Sequence, residues 1–199
     1  MGFDLFWALL IFTIVMTFTP GPNTMMLLAS GVNFGFRATV PHMVGITLGM
    51  GLMTILVGLG LGELFQLYPS IYTLLGYAGA AYMLFLAWKI ATATSIGEGR
   101  SSGRPMSFLQ AAAFQWVNPK AWVMAVTAIT TYSIPESHLF SVALLTLTFM
   151  AVSVPGCSTW ILFGTGLRRW LEDKRRLRIF NVTMAVLLVL SLVPAFWHG

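Results

Sequence analysis

The chain has few charged residues: Asp, Glu, Lys and Arg make up 9% of its 199 residues, whereas 57% are hydrophobic. A soluble domain typically carries about 25% charged residues, so this chain cannot cover itself with a polar surface. Lipid offers no partner to an unpaired backbone group, and apolar stretches of roughly 20 residues therefore predict spanning helices. The composition predicts an all-α integral membrane protein.

Cysteines and intramembrane carboxylates are also scarce. The single cysteine, Cys157, excludes an internal disulfide framework and a multi-thiolate metal site. Hard cations need carboxylate oxygens, yet every acidic residue lies at a terminus or in a loop, which argues against a divalent-metal exporter. The sequence also has no cysteine pair, carboxylate–histidine cluster or phosphate loop, so we predict no catalytic residue, no metal and no cofactor. The six acidic residues are Asp4, Glu63, Glu98, Glu136, Glu172 and Asp173.

Long apolar windows predict six spans, and basic residues predict their direction. Ten of the eleven Lys and Arg residues fall in three connections on one side, and the other side has none. Basic loops stay in the cytoplasm, so we expect both termini in the periplasm of a bacterial inner membrane. The predicted spans are residues 5–30, 39–63, 69–91, 107–133, 138–165 and 180–197.

A Gly- and Ser-rich cytoplasmic linker, residues 93–106, divides the single transmembrane domain, 1–199, into half-repeats 1–92 and 107–199. Each half has three predicted spans. Because three is odd, the second half enters the membrane from the opposite side to the first. The pattern predicts an inverted 3+3 repeat, a common plan among secondary transporters.

The first span of each half contains a proline-rich interruption, "FTPGPNTMM" at residues 18–26 and "WVNPKAW" at 116–122. Proline removes a backbone donor and clashes with the carbonyl four residues back, so helices 1 and 4 should break near mid-membrane. A break offers free amides to a carboxylate and free carbonyls to an ammonium group. Two facing breaks therefore predict a site for a zwitterion, of which an amino acid is the simplest. The predicted substrate-binding residues are Pro20, Gly21, Pro22, Asn23, Asn118, Pro119 and Lys120.

Several of these residues have a second interpretation. Intramembrane prolines can simply kink helices that their neighbours repair. Lys120, the only charge deep within a predicted span, attracts a substrate carboxylate, or it snorkels or pairs with a carbonyl at the break. His42 is a proton relay or an interfacial residue. In the fifth span, Ser153, Pro155 and Gly156 line the cavity or form a hinge.

Two features concern partners. Gly45 and Gly49 form a GxxxG pair, which permits close helix approach within the monomer or in a homodimer. The basic segment from Arg168 to Arg178 is expected to lie along anionic lipid headgroups, and not to bind nucleic acid.

Three segments carry a resemblance to a known family: "TPGPNTMMLLASGVNFGFRA", "GYAGAAYMLFLAWKIATA" and "QWVNPKAW". With the length and motif order, they resemble the LysE/RhtB family of amino-acid exporters over essentially the whole chain, and most closely its cysteine/O-acetylserine exporter branch. The resemblance implies proton-driven export of an amino acid or derivative from the cytoplasm. Cysteine, O-acetylserine, homoserine, threonine and leucine stay open as substrates, and a membrane-embedded enzyme or a structural subunit are the alternative functions.

The charge asymmetry makes a direct prediction about topology. In a cysteine-less background, an impermeant thiol reagent added to intact cells should modify Gly2→Cys and His198→Cys but spare Ser102→Cys. Labelling at Ser102→Cys alone would show that the orientation is the opposite of the predicted one, and the predicted direction of export would then be wrong.

Overall fold

The computed structural model describes residues 1–61, 67–93 and 104–191, and in these ranges the chain forms eight α-helices and no strand. Most of the predicted linker and the end of the predicted sixth span lie outside the described residues. The fold is thus all-α, as the composition predicted. The helices are α1 (Phe3–Phe18), α2 (Pro22–Phe34), α3 (Phe36–Leu56), α4 (Pro69–Ala91), α5 (Phe108–Phe114), α6 (Pro119–Tyr132), α7 (His138–Leu167) and α8 (Lys174–Leu190).

The two proline-rich stretches separate helices. Helices α1 and α2 meet at an angle of 51°. Helices α5 and α6 are separated by a 3-10 turn, Gln115–Val117, and by the extended residue Asn118. Pro22 and Pro119 each stand at the first position of the following helix, where the missing amide hydrogen costs no hydrogen bond. The prolines therefore end one helix and begin the next.

Three helical segments are long and apolar enough to cross a membrane: Phe36–Leu61, Thr73–Ala91 and Pro135–Leu167. The bent pair of α1 and α2 makes a fourth. The chain is therefore a multi-pass membrane protein. Helices α5 and α6, with 7 and 14 residues, are each too short to cross alone, since an α-helix rises about 1.5 Å per residue.

Helix α7 lies at the centre of the bundle, in contact with α1, α2 and α3, while α3 also packs against α5 and α4 packs against α8. Glycines permit the closest approaches. A Cβ at Gly31 would lie 2.4 Å from the Ile161 carbonyl oxygen, and one at Gly164 would lie 2.3 Å from that of Leu28. The GxxxG pair, Gly45 and Gly49, likewise faces α5 within the monomer.

The contact between α2 and α7 predicts a steric sensitivity at Gly164. Gly164→Ala should lower the unfolding midpoint in detergent, because overpacking of this kind costs about 1–3 kcal/mol. The matched control is Gly166→Ala, since a Cβ there meets nothing within 4 Å. Scanning fluorimetry of both variants tests the contact; equal midpoints would show that α2 and α7 do not approach this closely.

Candidate functional site

The two breaks meet in space through a pair of side-chain amides. Asn23, just after the first break, donates from Nδ2 to Gln115 Oε1 at 2.8 Å, and Gln115 Nε2 donates back to Asn23 Oδ1 at 3.2 Å. Gln115 is fully buried, and Nε2 also donates to the Ala111 carbonyl at 2.9 Å. This reciprocal pair ties the start of α2 to the turn between α5 and α6.

Lys120 forms a second link between the breaks. Its ammonium nitrogen donates to the Thr19 carbonyl oxygen at 2.7 Å and lies 3.5 Å from that of Pro20. A Cβ at Gly21 would lie 2.8 Å from Lys120 Cδ, so the lysine stem runs directly over this glycine. In this structure Lys120 therefore pairs with the carbonyl end of α1, which is one of the two arrangements expected from the sequence.

The two helices that follow the breaks differ in their free amides. At the start of α6, the backbone amide of Lys120 donates to Asn118 Oδ1 at 3.1 Å. The backbone amide of Ala121 donates to the Asn118 carbonyl oxygen at 3.0 Å. At the start of α2, the first backbone bond is from Met25 to the Gly21 carbonyl, at 3.0 Å. The amides of Asn23 and Thr24 precede this bond, so the helix itself gives them no partner. The amide-rich end is therefore that of α2.

A cavity of about 60 Å³ lies where these groups converge, and we call it the central cavity. A water-sized group needs about 10–15 Å³ by this measure, so roughly four to six such groups fit. Four of the predicted binding residues line it: Gly21, Asn23, Asn118 and Lys120. The remaining lining residues are Met16, Thr17, Thr24, Ile46, Met50, Gln115, Ala121, Met124, Phe149, Ser153 and Cys157.

The other three predicted binding residues, Pro20, Pro22 and Pro119, are not among the residues that line the central cavity. Pro20 is exposed, Pro22 is buried and Pro119 is partly buried. Their role in the structure is to set the backbone: two of them begin α2 and α6. They thus affect the site through the backbone conformation and not through contact with the cavity.

The three residues of the fifth span that were predicted to line the cavity or form a hinge have different surroundings in the structure. Ser153 lines the central cavity and accepts a hydrogen bond from Thr47 Oγ1 at 3.2 Å. Pro155 is exposed on the outside of α7, which continues through it as a helix. Gly156 faces α1, where a Cβ would lie 2.4 Å from Thr17 Cγ2. Of the three, Ser153 alone lines the cavity.

Sequence reasoning missed three of the polar residues that line the cavity, Thr17, Thr24 and Gln115. Thr24 Oγ1 accepts from the Gly21 amide at 2.8 Å and so closes the first turn of α2. A signal for Gln115 was present, because a polar amide within an apolar span is costly unless it has a partner. It stands three positions before Asn118, on the rim of the second break.

Comparison with known proteins identifies the family of this chain. The LysE type translocator family matches residues 14–192, a range that contains both breaks and the whole central cavity. The chain belongs to this family. Three curated relatives, from Escherichia coli (strain K12), Shigella sonnei (strain Ss046) and Shigella flexneri, are each 33% identical to it over 194 residues, 96% of this chain and 96% of theirs. Each is named "Cysteine/O-acetylserine efflux protein". No solved structure matches this LysE-type chain.

The amide pair between the breaks predicts an energetic coupling. Asn23→Ala and Gln115→Ala should each lower the unfolding midpoint, because each leaves the other amide without its partner. Gln115 is buried, so Asn23→Ala should cost about 1–3 kcal/mol; Asn23 is partly buried, so Gln115→Ala should cost less through this bond. The double variant should cost less than the two single effects together.

The control for this cycle is Asn33→Ala, also on α2, whose side chain donates to the Ala29 carbonyl at 2.8 Å and does not line the central cavity. Its effect should add to that of Gln115→Ala. Thermal unfolding in detergent measures the wild type, the three single variants and the two double variants, and additivity of Asn23→Ala with Gln115→Ala would contradict the pairing.

Proposed function

We propose that this LysE-type protein exports a small neutral amino acid or amino-acid derivative from the cytoplasm across the bacterial inner membrane, by alternating access. The candidates are substrates of the cysteine/O-acetylserine, homoserine/threonine or leucine type. The observation that carries the proposal is the convergence of both helix breaks on one cavity, which is lined by Lys120 and by the residues that carry the free amides of α2. The family and the printed names of its relatives support the same function.

The central cavity offers complementary groups to a zwitterion. The amides of Asn23 and Thr24, at the positive end of α2, are suited to a carboxylate. The carbonyls of Thr19 and Pro20, at the negative end of α1, are not part of the cavity lining, but Lys120 reaches from the lining to them. They are suited to an ammonium group, and in this structure the Lys120 ammonium occupies them. A substrate ammonium would take the place of Lys120, and Lys120 would turn to the substrate carboxylate. This exchange keeps every charge paired.

The cavity lining favours an uncharged substrate side chain. No Asp or Glu is present among the described residues that line it, and Met50, Met124 and Phe149 supply apolar surface. A cationic side chain would find only the like charge of Lys120 there, and an unpaired buried charge costs several kcal/mol. We therefore expect lysine and arginine to be poor substrates.

The helix contacts support an inverted repeat of half-repeats 1–92 and 107–199. The broken span of the first half, α1 with α2, packs against α7, and that of the second half, α5 with α6, packs against α3. Helix α3 packs against α7, and α4 against α8. Exchanging the halves maps each of these contacts onto another or onto itself, as expected if α5 with α6 forms the fourth span and α8 belongs to the sixth.

Alternating access then follows from this repeat. Each half can rock against the other around the central cavity, with the backbone breaks as points of bending. The distribution of basic residues predicts that these loops face the cytoplasm and that both termini face the periplasm. The cavity would then open to each side in turn. The proton gradient is the proposed energy source, in keeping with the resemblance to amino-acid exporters.

A membrane-embedded enzyme and a structural subunit are the competing functions, and transport measurements separate them from an exporter. In proteoliposomes preloaded with unlabelled cysteine, O-acetylserine, homoserine, threonine or leucine, an exporter should show saturable counter-flow with at least one of them. Lysine should give none. An enzyme or a structural subunit should give no counter-flow with any member of the panel.

The same assay tests the central cavity as the binding site. Asn23→Ala and Asn118→Ala should weaken apparent affinity roughly 10- to 150-fold, the range expected for one hydrogen bond to a charged group. Membrane insertion should be largely unaffected because it depends on apolarity. Thr130→Ala, an exposed residue on α6 that does not line the cavity, is the control. Wild-type flux in both variants, at matched protein levels, would exclude a site at the breaks.

A further inference from the structure

A second and larger cavity, of about 180 Å³, opens between α2, α3, α4 and the start of α5. We call it the vestibule. It lies toward the side of the protein that carries Lys89 and Arg104, which is the side that the basic loops assign to the cytoplasm. Its polar and charged lining residues are Ser30, Asn33, His42, Lys89, Arg104 and Gln110.

His42 lines the vestibule in an unusual state. It is 2% exposed, and neither ring nitrogen has a hydrogen-bond partner among the described residues. His42 is therefore enclosed by the protein and not exposed on its surface. Two nearby hydroxyls are already paired: Ser30, which also lines the vestibule, and Thr39, three positions before His42 on α3, share a hydrogen bond of 2.8 Å, and Thr39 also donates to the Gly35 carbonyl. Both ring nitrogens are closed to solvent in this structure, so a ligand reaches them only when neighbouring side chains turn aside. A buried imidazole without a partner, beside a polar cavity, indicates that a ligand supplies one in that way.

The charge of the vestibule indicates which ligand group that is. Lys89 and Arg104 are both exposed at its rim, and no Asp or Glu stands among the described residues that line it. The lining also contains apolar and aromatic side chains, among them Tyr82, Phe85 and Leu86. Two cations, a hydrogen-bonding imidazole and an apolar wall suit a small molecule with a carboxylate and an uncharged side chain.

The vestibule and the central cavity lie in succession along the same three helices. On α3, His42 lines the vestibule, and Ile46, one turn further on, lines the central cavity. On the fourth predicted span, Gln110 lines the vestibule and Gln115 the central cavity. On α2, Met26 lines the vestibule and Asn23, about one turn before it, the central cavity. A molecule in the vestibule is thus one helical turn from the central cavity.

We propose that the vestibule is a second substrate site, which binds the carboxylate of the exported amino acid on the cytoplasmic side before it reaches the central cavity. His42 hydrogen-bonds the carboxylate at the inner end, and Lys89 and Arg104 attract it at the rim. This proposal rests on the proposed export function. It differs from the central cavity in one measurable respect: the vestibule serves substrate that arrives from the cytoplasmic face.

The test compares the half-saturation concentration at the two faces of the membrane. Inside-out vesicles measure it at the cytoplasmic face, and right-side-out vesicles measure it at the other face. His42→Leu should raise the cytoplasmic value about tenfold, and Arg104→Gln about two- to fivefold, with the opposite face unchanged. His42→Gln, which keeps a hydrogen-bonding side chain, should recover part of the loss.

Two controls make the comparison specific. Arg37→Gln removes an exposed cation that does not line the vestibule, and it should change neither face. A carboxyl-ester analogue of the substrate should have the same half-saturation concentration in wild type and in Arg104→Gln. If His42→Leu does not fold, His42→Gln and Arg104→Gln still carry the test.

Equal shifts at both faces, or none at the cytoplasmic face, would overturn the vestibule while leaving export intact. An anionic lipid headgroup carries the same charge as a carboxylate, so the assay is run in liposomes with and without anionic lipid. An effect confined to anionic liposomes would assign the vestibule to lipid and overturn the proposal. Absence of saturable flux in the wild type would instead refute the export function itself.

Discussion

Two proline-rich breaks leave backbone groups without partners in their own helices, and side chains of the two breaks satisfy several of them. Lys120 reaches from the second break to the carbonyls of the first. Asn118 holds the first amide of the helix that follows it. Asn23 and Gln115 join the two breaks directly. Each bond crosses or closes a break, so the two halves of the chain are held together at the cavity.

The Lys120 ammonium is the one charged group in this arrangement, and its partners are uncharged. Lys120 is partly buried and makes its bonds to neutral carbonyls, and no ion pair to it exists within the described residues. A lysine on a flexible four-carbon stem can exchange such partners readily. A zwitterion provides both the carboxylate that Lys120 lacks and the ammonium that replaces it. The chemistry of the break thus favours a ligand with both charges.

The two cavities differ in what they can select. The central cavity is small and has apolar walls around its polar end, so we expect it to discriminate by side-chain size and charge. The vestibule is larger, and cations stand at its rim, so it favours any small carboxylate with an uncharged side chain. The two cavities lie in succession along α2, α3 and the fourth predicted span. In the proposed pathway the vestibule attracts the substrate carboxylate, and the central cavity then selects the side chain.

The apolar composition and the two proline motifs were enough to determine an all-helical membrane protein with breaks at residues 20–23 and 118–120, because these follow from local backbone chemistry and from the solvent. They also identified four of the residues that line the central cavity. Three prolines were predicted as binding residues, yet none of them lines the cavity, and two of them, Pro22 and Pro119, begin helices. Local sequence cannot separate a residue that shapes a site from one that faces it.

Only the tertiary structure decided which side chains meet. The Asn23–Gln115 pair joins residues 92 positions apart, and no periodicity in either segment predicts it. Pro155 turns outward while Ser153 turns inward on the same helix, since the packing of α7 against α2 and α3 sets its rotation. His42 stands near a basic loop in the sequence but is buried by neighbouring helices. The sequence determined where the helices break; the packing of distant helices determined what the breaks enclose.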